Sequence, residues 1–99
     1  MTRKRQWLNS DEDGGMAAIL TDVNEPHLDT DSNGIPYGHV SAAIKISDCS
    51  RQISLDFDVY NLEGLDNARL KINRLYRAIA KFRTEYLDAL SELESHLTP

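Results

Sequence analysis

Residues 62–97 read LEGLDNARLKINRLYRAIAKFRTEYLDALSELESHL, and the fold turns on how that string is taken. Leu65, Ala68, Ile72, Leu75, Ile79, Phe82, Tyr86, Ala89 and Leu93 recur at alternating intervals of three and four, the heptad spacing of an amphipathic helix. No Pro or Gly interrupts the run after Gly64, so the pattern predicts one helix from Leu62 to about Leu97. At 1.5 Å per residue such a helix is about 50 Å long, whereas a single domain of this size has a radius of gyration of about 13 Å. The rod outgrows any platform the other residues can build, and its far end still carries an apolar stripe. A partner helix is the expected cover.

Charge indicates how two such helices would pair. Arg69, Lys71, Arg74, Arg77, Lys81 and Arg83 fill the first half to the middle without an intervening acid, and Glu85, Asp88, Glu92 and Glu94 follow without a base. An antiparallel pair centred near Phe82 sets each basic half beside the other's acidic half. In that register Lys71 approaches Glu92, and Arg77 approaches Glu85 or Asp88. A parallel pair stacks like on like. Exposed ion pairs contribute only about 0.2–1 kcal/mol each, so charge selects the orientation while the stripe supplies affinity. The expected contact is Ile79, Phe82, Tyr86, Leu90 and Leu93 in an antiparallel homodimer. Two other uses of the stripe stay open: packing on the chain's own sheet, or capture of a different protein.

Upstream, the period changes from heptad to two. Val40, Ala42, Ile44 and Ile46 alternate with His39, Ser41, Ala43, Lys45 and Ser47, and Ile53, Leu55, Phe57 and Val59 alternate with Ser54, Asp56, Asp58 and Tyr60. Each run predicts a strand with one apolar and one polar face, joined by a short turn over Asp48-Cys49-Ser50-Arg51. Asn61 is placed to cap the helix, with Glu63 in its first turn. Met16 to Val23 is a candidate first strand, while Asn24 to Tyr37, with Pro26, Asn33, Gly34 and Pro36, reads as loop. Residues 1–15 read as a flexible charged tail, leaving a single small α+β domain over 16–99. In it an antiparallel β-hairpin or three-stranded meander packs on one long C-terminal α-helix.

The 99 residues carry a net charge of −5, which disfavours a chain-wide nucleic-acid binder. The sorting is uneven: Arg3, Lys4 and Arg5 form a basic arm, and no Lys or Arg follows until Lys45. Asp11, Glu12, Asp13, Asp22, Glu25, Asp29 and Asp31 fill the interval. One cysteine, Cys49, permits no internal disulfide and fits a reducing compartment. No apolar run has the length of a signal or membrane-spanning segment, so the expectation is a soluble cytoplasmic protein.

No constellation carries chemistry. Asp29, Asp31, Asn33 and Gly34 begin like a calcium loop, but Val40 stands where the closing Glu belongs and Pro36 follows at once; the same residue types build an ordinary Asx turn. Cys49 sits in an open turn without a base in reach. His27, His39 and His96 lack ligand spacing, and no phosphate-binding glycine loop is present. The expectation is no enzyme, no cofactor and no metal. Arg74, Arg77 and Lys81 share a helix face opposite the stripe, and with Arg3, Lys4 and Arg5 they make the alternative reading: contact with nucleic acid or another anion. A mimic of nucleic acid built from the acidic 11–31 stretch needs regular spacing on a rigid surface, which loop acids do not supply.

Ile46-Ser-Asp-Cys49-Ser-Arg-Gln-Ile-Ser-Leu55-Asp-Phe57, followed by the helix with Asn67-Ala-Arg-Leu-Lys-Ile-Asn-Arg-Leu75, resembles small orphan proteins encoded by actinobacterial phages and prophages. The match covers residues 40–83. The resemblance implies a host-cytoplasm setting and a role exerted by binding, as an accessory module that modulates a host or phage protein, and assigns no site residues.

Overall fold

The structure is a computed structural model that describes residues 2–8, 17–48 and 51–98. Alternating side chains dominate its first part. Among the described residues β1 (Thr2–Trp7), β2 (Ala18–Val23), β3 (His27–Thr30), β4 (Pro36–His39), β5 (Ala42–Asp48) and β6 (Arg51–Asp56) precede one helix, α1 (Leu62–Leu97). The class is α+β. Two units divide the chain, Met1–Ala68 and Arg69–Pro99.

The first unit holds a four-stranded antiparallel sheet in the order β1-β2-β5-β6 and a separate two-stranded sheet, β3-β4. The large sheet has sharply different faces, because cross-strand partners share a side. One face joins Ile19, Ile46 and Ile53 in a row and Thr21, Ile44 and Leu55 in the next. The other joins Trp7, Ala18, Ser47 and Gln52, then Arg5, Leu20, Lys45 and Ser54. Ala18 and Val59, each 7% exposed, are the buried apolar residues among those described. Val59 is held by reciprocal backbone bonds with Val40, at 3.0 and 2.9 Å.

Four expectations change. The basic run taken as part of a flexible tail is β1, an edge strand paired along its length with β2. Its charges are compatible with that place, since Lys and Arg on an edge deter pairing with other chains. The sheet thus has four strands rather than two or three, with the Met16–Val23 candidate appearing as β2. The stretch read as loop contains β3 and opens β4. There Asp31 is the organiser: its Oδ1 accepts hydrogen bonds from the Asn33 amide at 2.8 Å and the Ile35 amide at 2.9 Å. Gly34 supplies the left-handed backbone, with φ of 78°, that lets the chain reverse. Val40 falls outside β5, and Phe57 to Tyr60 of the expected second strand, Val59 among them, fall outside β6; the two valines form an isolated bridge.

The helix has the expected bounds. Asn61 Oδ1 accepts from the Gly64 amide at 2.7 Å, satisfying one of the donors that a helix start leaves open. Leu65 and Ala68, in the first unit, are half-buried. The second unit consists of the remaining helix, and at its end Thr98 donates to the Glu94 carbonyl at 2.9 Å.

Candidate functional site

A helix can present a long apolar ridge only if its residues lie on one side, and α1 meets that condition. Ile79, Phe82, Tyr86, Leu90 and Leu93 all fall on one side by the 100° advance per residue, and all are exposed, Phe82 at 64% and Tyr86 at 54%. The Phe82 and Tyr86 rings stack at 5.6 Å between centroids, one turn apart, giving the middle of the ridge a broad, flat block. No residue of α1 is buried. Lys81 approaches Glu85 at 4.0 Å, at the junction of the basic and acidic halves.

The same geometry sorts the charged residues. Lys71 and Glu92, three heptads apart, take the same heptad position beside the ridge once two helices supercoil. Arg77 lies two positions before Ile79, about 160° around the axis, with Arg74 and Lys81 nearby on the far face. Lys71 with Glu92 is therefore the pairing suited to an antiparallel contact, and Arg77 is misplaced for the role first expected of it. 

The six cations of the alternative reading do not share one element. Arg74, Arg77 and Lys81 belong to the helical unit; Arg3, Lys4 and Arg5 belong to β1. The strand also divides the arm, sending Arg3 and Arg5 to the polar sheet face and Lys4 to the other. Lys45, not among those six cations, lies in the same cross-strand row as Arg5.

The small hairpin gathers two histidines that the sequence seemed to scatter. Its register sets His27 opposite His39, with ring centroids 5.2 Å apart, and Tyr60 stands 5.8 Å beyond His39. A turn centred on Asn33-Gly34 fixes that pairing, so the signal was present once those residues were read as a hairpin. Asp29 accepts from the Thr30 amide at 2.7 Å and the Tyr37 hydroxyl at 3.2 Å. These bonds, the Thr30 amide foremost, hold its carboxyl below the usual carboxylate range, with His27 adding to the effect. Asp31 spends its oxygen on the turn. Among the described residues no group of three His, Cys, Asp or Glu is placed to hold a metal. A small hollow of about 80 Å³ lies between Asp22 and Asp58, where Asp22 Oδ1 is buried without a hydrogen-bond partner. Cys49 and the acids Asp11, Glu12 and Asp13 lie outside the described residues.

No family model, curated protein or solved structure matches this chain. Among the described residues no helix is long and apolar enough to cross a membrane.

Proposed function

We propose that the chain is a non-catalytic interaction module that self-associates through the second half of α1, as an antiparallel homodimer. The observation that carries this reading is the ridge from Ile79 to Leu93, five large apolar side chains exposed in succession on one helix. Exposed apolar residues are ordinary when scattered; a continuous row on a regular element is the form that helix pairing uses. The segregated charges favour a second copy as the occupant. A copy running the other way brings Lys71 beside Glu92 on both flanks, and it also relieves the acids that crowd the helix C-terminus.

The setting proposed with this role is the cytoplasm, as the resemblance to phage-encoded proteins implies, with a protein partner for the assembled module. Light scattering on the full chain tests the self-association. Wild type elutes as a dimer, and Leu90→Glu, which sets a charge in the ridge without removing a buried contact of the chain, elutes as a monomer with unchanged helical circular dichroism per residue. A wild type that scatters as a monomer at tens of micromolar contradicts the reading.

A further inference from the structure

We propose that the polar face of the four-stranded sheet binds single-stranded nucleic acid, with one base stacked on Trp7 and the adjoining phosphate held between Arg5 and Lys45. This goes beyond self-association and does not depend on it.

The face is built with a tall rim and a low floor. In one cross-strand row Trp7 and Gln52 stand at the ends, with Ala18 and Ser47 between them; in the next, Arg5 and Lys45 flank Leu20. Two small residues between long ones leave a hollow of about 270 Å³. Trp7 is 56% exposed, which leaves an indole face open to stacking. Arg5 and Lys45 stand two strand spacings apart, about 10 Å, a gap that two long cationic side chains close from either side onto one phosphate. Along β1, Arg5 lies two residues from Trp7, about 7 Å, so an aromatic platform and a cation follow one another on the same face. Gln52 and Ser47 supply donors and acceptors at the rim, suited to a base edge.

Charge around the hollow sets its limits. The next row pairs Arg3 with Asp22, and Asp56 lies opposite Ala43; with one cation and two carboxylates, that end of the face is acidic. Among the described residues of this face, the rows that hold Trp7, Arg5 and Lys45 carry no acid. Asp22 and Asp56, one row away at about 7 Å along the strands, weaken the attraction of Arg5 and Lys45, whereas acids of the chain beyond about 8 Å are largely screened at physiological salt. The occupant is a strand rather than a free nucleotide. Small-molecule sites enclose most of their ligand, and this hollow lies open on a sheet face, where extended chains with stacked bases bind. Duplexes keep their bases inside and offer nothing to the indole.

Trp7 is the single tryptophan, so its fluorescence reports on the site directly. The experiment titrates the full chain with a twelve-residue oligothymidylate, its duplex with oligoadenylate, thymidine monophosphate and poly-glutamate. The oligothymidylate is expected to quench Trp7 saturably, the duplex and the polypeptide to leave it unchanged, and the mononucleotide to act at least tenfold more weakly. Anisotropy of a labelled oligomer then follows variants. Arg5→Ala and Lys45→Ala each weaken binding about fivefold to tenfold, and each lowers the salt slope by about 0.7. Trp7→Ala weakens it about tenfold or more, while Trp7→Phe keeps much of the affinity. Arg74→Ala with Arg77→Ala leaves binding unchanged. No quenching by the oligomer, equal quenching by poly-glutamate, equal affinity for the mononucleotide, or indifference to Lys45→Ala overturns the assignment.

Discussion

Gly38 and Gly34 sit in the same small hairpin and fail differently when given a side chain. A Cβ at Gly38 runs into the His27 carbonyl across the strand pair, so Gly38→Ala forces β3 and β4 apart and costs about 1–3 kcal/mol. At Gly34 nothing lies within 4 Å of that position; the cost there is conformational only, about 1–2 kcal/mol for Ala, and less for Asn, which tolerates φ of this sign. Amide exchange across β3 and β4 orders the three variants, with Gly38→Ala least protected and Gly34→Asn nearest wild type. Asp29 gives the hairpin a pH dependence of defined sign. Its folded pKa is lowered, so its contribution is complete above the unfolded value of about 3.9 and is lost as pH falls through the lower folded value. Protection of the Thr30 amide is expected to decline in that acid range in wild type and to be flat there in Asp29→Asn. These residues also show where sequence reading stopped short. The Asp31 and Gly34 turn chemistry was visible, but without the strands on either side it stayed a loop, and the His27–His39 pairing went unseen with it.

At the scale of elements, periodicity carried most of the fold. The heptad run marked α1 from Leu62 to its end, and the two-residue alternation marked β5 and most of β6, because in both cases apolar residues are collected on one side of the element. Asn61 was legible as the cap, and Asn61→Ala is expected to cost about 1 kcal/mol, read as faster exchange of the first-turn amides with the far end of the helix unaffected. β1 was not legible. Thr-Arg-Lys-Arg-Gln-Trp shows no apolar alternation, since an edge strand with Arg3, Arg5 and Trp7 on a polar face needs none; its hydrogen bonds come from β2. Charge was read as a sign of a tail where it marks an edge. The candidate residues on the helix were found by spacing alone. Lys45 and Gln52, far from Arg5 in sequence, came into view only with the strand register.

For the whole molecule, the question is what the ridge on α1 meets. Charge makes a test by exchange possible: Lys71→Glu alone places acid against Glu92 of the other copy and weakens association, as Glu92→Lys alone does by setting base against Lys71. The double variant restores opposite charges across the pair, and its dissociation constant is expected to return to within about threefold of wild type, on the scale of about 0.2–1 kcal/mol per exposed pair. Orientation leaves a still plainer signature. With Cys49→Ser as background, spin labels are set at Thr84→Cys or at Leu70→Cys, both away from the ridge, and the distance between the two copies is measured by electron–electron resonance. Antiparallel pairing centred near Phe82 puts the two labels at 84 only about 6 Å apart along the axis and those at 70 about 36 Å apart. Equal separations at the two positions, or no dipolar coupling at either, contradicts antiparallel self-association through this helix.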